Sequence, residues 1–347
     1  MEDSEMGERL CIGCDLGTST IKLSCGDTKF LIPSLIGEPN PGWSGASFDK
    51  SLENNLVITE GRDSYYIGEL ARMQSEVKRA LASDGQMKSA EETYIALKAA
   101  LGLFIDNDGQ DVIVATGVPV ATSMGVMKNL SKMLKGNLEI NVKNDATGKT
   151  KRLNVNIEKC LVLPEPYGTY YSTLKEKGEE TAVDTVLVDI GHGSTDILTM
   201  YQGRPMRTAS GSMREATDTL TNRMASALQE KTNQIVKPFD LMTIIRQQKE
   251  SVLIGGQTYS IKSIREFYAK QIAKVMVDEV MRLITTLPPD AFVEYYIICG
   301  GGAYTFGEAI KEAIIEGHLV TSDESVIIPE DPVISNARGF ELIAQSQ

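Results

Sequence analysis

The sequence predicts an α/β fold made of two related α/β domains, on three observations. A strand, a Gly-rich turn and a second strand occur twice, at Asp15-Leu16-Gly17-Thr18-Ser19-Thr20-Ile21-Lys22 and at Asp189-Ile190-Gly191-His192-Gly193-Ser194-Thr195-Asp196, about half a chain apart. Another strand, Ile297-Ile298-Cys299, runs into Gly300-Gly301-Gly302-Ala303 and then a helical pattern through Ile314. Helical and extended patterns alternate through both halves, and 347 residues with 42% hydrophobic side chains suffice for two cores.

In the first half, apolar runs near 10–15, 20–25 and 29–32 read as strands. A hairpin follows, Leu56 to Thr59 and Tyr65 to Ile67 around Gly61-Arg62-Asp63, and marks a small subdomain at about 33–90. Helical patterns run near 69–82 and 90–104, and Asp111 to Ala115 is a strand with Gly117-Val118-Pro119-Val120 as its exit loop. Helix 121–135 comes next, then a polar hairpin turning at Asn144 to Gly148. Leu161-Val162-Leu163 leads into Pro164-Glu165-Pro166, whose prolines fix the backbone around the glutamate, and helix 167–177 follows. In the second half, strands 185–190, 195–201 and 205–209 repeat the first three. Helix 212–230 starts after Ser210-Gly211-Ser212, and a helical segment at 240–251 contains Lys249-Glu250. Helix 261–286 stops before Pro288-Pro289, and a terminal helix spans 333–345.

Neither Gly-rich turn opens a helix, so neither has the layout of a dinucleotide fold, in which a helix N-terminus receives the phosphates. In a tight hairpin, small residues let backbone N–H groups and hydroxyls approach phosphate oxygens. Gly17, Thr18, Ser19 and Thr20, and Gly191, His192, Gly193, Ser194 and Thr195, are therefore candidate phosphate ligands. His192 either touches the terminal phosphate or faces solvent. A carboxylate beside a polyphosphate is costly unless a divalent cation lies between them, which makes Asp15 and Asp189 candidate Mg²⁺ ligands, through water. Three consecutive glycines are entropically costly and let a flat ligand lie on bare backbone. Gly300, Gly301, Gly302 and Ala303 are thus expected to take an adenine or ribose and its α-phosphate. One nucleotide clamped in a cleft between the two domains is the simplest reading.

With these motifs in this order and spacing, the chain resembles the actin, heat-shock-chaperone and sugar-kinase superfamily, and within it the prokaryotic actins, over nearly its whole length. Phe30-Leu31-Ile32-Pro33-Ser34, Tyr66-Ile67-Gly68-Glu69-Leu70-Ala71 and Ser335-Asn336-Ala337-Arg338-Gly339-Phe340 are similar to segments of ParM-type plasmid-segregation and archaeal actin-like proteins. The resemblance implies an actin-like fold of two duplicated ribonuclease-H-like domains, domain I at 1–166 plus 330–347 and domain II at 167–329. It implies that Lys22 contacts the β- and γ-phosphates and that Glu165 positions the attacking water. Gly211 would lie at a helix N-terminus facing the cleft, and Lys249 and Glu250 would line the ribose and adenine pocket. The implied activity is Mg²⁺-dependent hydrolysis of ATP or GTP coupled to assembly of a homopolymer filament, for DNA or plasmid segregation or intracellular positioning. Two alternatives stay open: a small-molecule kinase of the same superfamily, for which no Asp base is identified, and a non-polymerising nucleotide switch.

The net charge of −12 argues against broad direct nucleic-acid binding, so a DNA cargo would require an adaptor protein. Lys128, Lys132 and Lys135 and the hairpin from Lys143 to Arg152 read as solvated faces or filament contacts. The loop from Pro39 to Phe48, with Trp43, reads either as a further contact element or as a segment packed on its own domain. Met1 to Arg9 carries Glu2, Asp3, Glu5 and Glu8, which suits neither a signal peptide nor a basic membrane anchor, and no apolar run reaches the ~20 residues of a bilayer span. A cytoplasmic location is expected. Of the cysteines at 11, 14, 25, 160 and 299, Cys11 and Cys14 are spaced to face opposite sides of a strand, so all five are expected as free core thiols.

Overall fold

Short β-propensity runs separated by Gly-rich turns fold locally into hairpins, and these hairpins start each half of the chain. The structure, a computed structural model, describes residues 9–40, 42, 47–80, 90–179 and 183–347. It divides into two units, residues 1–173 with 334–347, and residues 174–333.

The first unit begins with β1 (Leu10–Leu16), β2 (Thr20–Cys25), β3 (Thr28–Pro33), β4 (Leu35–Gly37), β5 (Leu56–Glu60) and β6 (Asp63–Ile67). Then come α1 (Glu69–Gln74), β7 (Lys78–Ala80), α2 (Ala90–Phe104), β8 (Asp111–Val118), α3 (Met124–Leu134), β9 (Gly136–Asn144) and β10 (Thr150–Pro164). The chain passes to the second unit within α4 (Tyr167–Lys177). The second unit contains β11 (Thr185–Ile190), β12 (Thr195–Tyr201), β13 (Arg204–Pro205), β14 (Gly211–Met213), α5 (Thr217–Thr232) and α6 (Pro238–Arg246). It continues with β15 (Ser251–Ile254), β16 (Gln257–Ser260), α7 (Lys262–Ile284), β17 (Tyr295–Cys299), α8 (Ala303–Glu316) and β18 (Val326–Ile327). The last helix, α9 (Ser335–Gln345), returns to the first unit.

The duplication is visible in the strand order. The first sheet runs β3-β2-β1-β8-β10-β9-β5-β6-β4-β7, and the main path of the second runs β13-β12-β11-β17-β18. In both, two antiparallel hairpin links are followed by two parallel neighbours: β1, β8 and β10 in one, β11, β17 and β18 in the other. Parallel strands buried on both faces carry near-continuous apolar sequence, as in Val186, Leu187 and Val188.

Five expectations are corrected. The helix expected at 69–82 ends at Gln74, because Ser75 turns extended and Lys78–Ala80 pairs with β4 instead; residues 81–82 lie outside the described residues. Gly117 and Val118 are not an exit loop but the end of β8, opposite Leu163 and Pro164. The strand expected at 205–209 stops at Pro205, which has no N–H for a ladder, and a 3-10 turn at Arg207–Ala209 follows. There Thr199 donates through Oγ1 to the Ala209 carbonyl at 2.6 Å and through N–H to Ser210 Oγ at 2.9 Å. The helix expected from 212 starts at Thr217, since 211–213 pair with β12, and the one expected through 251 ends at Arg246. Lys249 and Glu250 therefore lead into the β15–β16 hairpin, whose Gly255 and Gly256 both have positive φ. The acidic segment at 1–8 and Trp43 lie outside the described residues.

Side-chain alternation along β1 sends Ile12, Cys14 and Leu16 into a core shared with Ile95, Ala96 and Ala99 of α2. Cys11 faces the opposite core, with Ile113 and Ala115 of β8 and Phe340, Ile343 and Ala344 of α9. All five thiols are free, and burial pushes the Cys160 thiol up to about 12. No helix among the described residues is long and apolar enough to cross a membrane.

α9 lies unusually close to its neighbours. A Cβ at Gly13 would overlap the Ala337 carbonyl oxygen, and one at Gly339 would overlap that of Gly168. Asn336 Oδ1 accepts from Thr169 N–H at 3.0 Å and from its hydroxyl at 2.6 Å, all buried. The 5%-exposed carboxylate of Glu341 accepts from Ser24 Oγ at 2.6 Å and Gly26 N–H at 2.7 Å. Gly13→Ala is therefore expected to destabilise by about 3 kcal/mol or more in urea denaturation, through overpacking against backbone. Gly26→Ala, at φ +58 with open space around it, is expected to cost only about 1 kcal/mol. Equal costs would contradict the close approach of α9.

Candidate functional site

Each unit carries its own half-site at the carboxyl ends of its parallel strands, where α/β sheets place ligands. In the first, Leu16 stands opposite Ile21, leaving a four-residue turn from Gly17 to Thr20. In the second, Ile190 stands opposite Thr195 across Gly191 to Ser194. The turns share one geometric demand. A Cβ at Gly17 would lie 2.7 Å from the Thr20 carbonyl oxygen, and one at Gly191 would lie 2.9 Å from that of Ser194. Only glycine lets the backbone close this tightly.

The registers also match, but the charges differ. Asp15 faces Lys22 across the first hairpin, and Lys22 Nζ donates to Asp15 Oδ2 at 2.7 Å with the two side chains 16% and 3% exposed. At the equivalent place in the second hairpin, Asp189 faces Asp196, whose Oδ1 accepts from Ser212 Oγ. Asp196 is 6% exposed and was not singled out from sequence, although its position, seven residues after the leading aspartate as Lys22 is, carried the signal.

Glu165 follows β10 directly, its N–H donating to the Val118 carbonyl at 2.8 Å. A Cβ at Gly117 would lie 2.7 Å from its Cγ, so the glycine at the end of β8 makes room for the glutamate. β1 and β10 flank β8 in register, so the backbone at Asp15 lies two strand spacings, about 10 Å, across from Leu163, with Glu165 two residues further along. That gap has the scale of a phosphate group with a water beyond it.

In the second unit the loop is clamped from behind. Thr217 Oγ1 donates to the Gly191 carbonyl at 2.7 Å, and the Asp218 N–H at the start of α5 donates to the His192 carbonyl at 2.9 Å. The N–H groups of His192, Gly193 and Ser194 have no acceptor among the described residues, an arrangement suited to an anion. Thr195 is buried and donates to the Glu215 carbonyl at 2.6 Å, so its hydroxyl is committed to the fold. His192 Nδ1 is buried without a partner beside a cavity of about 210 Å³, also lined by Asp218, Thr221, Asn222, Phe239 and Met242.

The glycine corner adjoins this loop. β17 runs parallel to β11 with Cys299 beside Asp189. A Cβ at Gly300, φ +80, would overlap Asp189 Oδ1, and one at Gly302 would overlap Ile190 Cγ2. The Gly302 N–H donates to the Ile190 carbonyl at 2.8 Å. Two of the three glycines are thus needed for packing; Gly301 alone faces open space, and Ala303 is buried as the first residue of α8. Gly211 pairs with Ile197 on the outer side of the hairpin. Lys249 and Glu250 are exposed, and Glu250 Oε1 pairs with Lys262 Nζ at 3.0 Å.

No group of three or more His, Cys, Asp or Glu side chains among the described residues would hold a metal by itself. One or two carboxylates beside an anion-binding loop do fit Mg²⁺, which keeps several waters and is shared with substrate phosphates. Asp15 and Asp189 each stand at the head of such a turn in their own unit.

Two family models match the chain: actin-like proteins N-terminal domain over residues 13–168, and archaeal actin homologue MreB-like, C-terminal, over residues 187–312. The chain is 22% identical over 371 residues to the actin-like protein MamK of Paramagnetospirillum magneticum strain AMB-1, covering 99% of this chain and 94% of MamK. Among solved structures, the archaeal actin homolog Ta0583 aligns with a TM-score of 0.75 at 20% identity, over 97% of this chain and 100% of that one. A 15-stranded ParM filament from Clostridium botulinum aligns with a TM-score of 0.74 at 19% identity, over 98% of this chain and 99% of that one. Matches along both halves, over the hairpins and the strands that carry them, place this two-domain α/β chain in the family of prokaryotic actin-like proteins.

Proposed function

We propose that the chain is a Mg²⁺-dependent ATPase or GTPase that assembles with copies of itself into a dynamic cytoplasmic filament. The observation that carries this is the pair of hairpins with the same four-residue turn and the same register, one ending in a lysine opposite its aspartate and the other in a second aspartate. Such a pair suits a single metal–triphosphate: the Lys22 cation for phosphate oxygens, and the Asp15 and Asp189 carboxylates for the hydrated metal. Solved ParM filaments and an ADP complex of Ta0583 support self-assembly and nucleotide use by analogy of fold.

In this reading Asp15 and Asp189 would hold a hydrated Mg²⁺, which would supply neutralisation of charge developing on the phosphates. Lys22 exchanges its Asp15 contact for phosphate oxygens, and the hydroxyls of Thr18, Ser19, Thr20 and Ser194 approach from the turns. The N–H groups of His192, Gly193 and Ser194 receive oxyanions without rearrangement, which is how a preformed site stabilises charge. Glu165 accepts a hydrogen bond from water and orients it in line with the terminal phosphate. Gly301 offers bare backbone to the nucleoside, and Lys249 and Glu250 are assigned to its outer edge. Filament turnover would serve DNA or plasmid segregation or intracellular positioning, with an adaptor protein joining it to cargo.

Sedimentation with Mg²⁺ and ATP, GTP or a non-hydrolysable analogue, with phosphate release followed in the same tubes, tests the whole reading. Pelleting that reverses as phosphate appears is expected; a protein that stays in the supernatant at every concentration would refute it. Glu165→Ala is expected to bind nucleotide normally and hydrolyse it about 100-fold more slowly, the scale of one positioned acid–base group. Unchanged turnover would remove Glu165 from the mechanism. Gly301→Ala is expected to unfold like the parent, because its Cβ meets nothing within 4 Å, yet to bind nucleotide at least several-fold more weakly in a fluorescence titration.

A further inference from the structure

α3 and α8 each leave one face uncovered, and the two faces bear opposite charge at matching intervals. On α3 the exposed residues Met124, Lys128 and Lys132 stand four apart, with Lys135 just beyond the helix, while Met127 and Leu134 are buried. On α8, Tyr304, Glu308, Glu312 and Glu316 are exposed four apart, while Phe306, Ile310 and Ile314 are buried. Each stripe opens on an exposed apolar side chain, Met124 at 64% and Tyr304 at 57%.

Neither stripe is explained within its own unit. Like charges four apart on a helix are mutually destabilising. Among the described residues Lys128, Lys132, Lys135 and Glu308 have no ion-pair partner, and Glu316 feels Lys270 without a direct contact. Glu312 pairs with Lys270 at 3.0 Å, but the side chains are 56% and 67% exposed, so solvent leaves that contact little strength. In a chain of net charge −12, copies repel one another, and a lysine stripe is a place where approach becomes favourable.

We propose that α3 of one copy docks on α8 of the next, Lys128 and Lys132 against Glu308 and Glu312, with Met124 beside Tyr304. The two patches are different surfaces, so one such contact leaves an unused α8 stripe on one copy and an unused α3 stripe on the other, open to further copies. It rests on the self-assembly reading above and names the surface that assembly uses.

Reciprocal charge reversal tests it. Lys128→Glu with Lys132→Glu makes both faces acidic, and Glu308→Lys with Glu312→Lys makes both basic. All four positions are exposed, and none belongs to the nucleotide half-sites, so circular dichroism and nucleotide affinity are expected to match the parent. Each variant alone is expected to show at least a tenfold higher critical concentration for pelleting with Mg²⁺ and nucleotide. An equimolar mixture is expected to pellet close to the parent, because the acidic α3 of one variant meets the basic α8 of the other, and the reverse. Pelleting of either variant at the parental concentration, or a mixture no better than its components, would overturn the contact while the parent still assembles. A parent that never pellets would overturn both the contact and the filament reading.

Discussion

The sheet edge of the first unit that carries Asp15 and precedes Glu165 depends on how closely α9 can approach the sheet. The sheet face under α9 carries Cys11 and Gly13 on β1 and Ala115 on β8, and the same alternation puts Asp15 and Gly117 at its end. At Gly13 the helix backbone sits where a side chain would otherwise stand, and at Gly168 it meets the start of α4 in the same way. That spacing leaves room at the edge for Glu165 beside Gly117. Glu341 extends the constraint to the hairpin itself. Its carboxylate takes two hydrogen bonds from the β2–β3 turn region, so the strand bearing Lys22 is tied to the last helix of the chain. Residues far apart in sequence thus fix the position of a lysine near the N-terminus.

A second constraint is the divergence of the two hairpins within one geometry. Glycine at the head of each turn is forced by the carbonyl three residues later, whatever the turn binds. The pair at the strand level is not forced, and there the halves differ: an aspartate with a lysine, an aspartate with an aspartate. A buried lysine needs an anion, and in the first hairpin Asp15 supplies it at 2.7 Å. Two carboxylates opposite each other are the costlier arrangement, since like charges across a ladder repel. Ser212 offsets part of that through its hydrogen bond to Asp196, and a hydrated divalent cation would offset the rest.

Much of this was legible in the sequence, for reasons tied to range. The strands of both hairpins, the β17 strand with its glycine corner and the α2, α4 and α8 helices follow from local periodicity and turn residues, and they stand where those signals put them. The misplaced boundaries come from non-local pairing: β7 exists because β4 offers an edge, and β14 because β12 does. The β15–β16 hairpin has a local signal in Gly255-Gly256 flanked by alternating residues, which helical readings of 240–251 and 261–286 leave unused. The candidate site was legible as motifs but not as packing. Nothing local said that Gly300 and Gly302 serve Asp189 and Ile190 while Gly301 faces outward, or that Thr195 is committed to the Glu215 carbonyl.

The glycine corner also joins the second hairpin to α8. Gly302 is at once the residue whose N–H holds the Ile190 carbonyl of that hairpin and the N-cap of α8. α8 is a single rigid element whose buried face, Phe306, Ile310 and Ile314, is locked into the second core. A shift of the hairpin on loss of the terminal phosphate would therefore reach α8 at its first residue, and a helix transmits displacement along its whole length because its hydrogen bonds leave no soft joint. The acidic stripe on its exposed face lies within four turns of that residue. If copies meet through this stripe, a filament contact is coupled to nucleotide state by one helix.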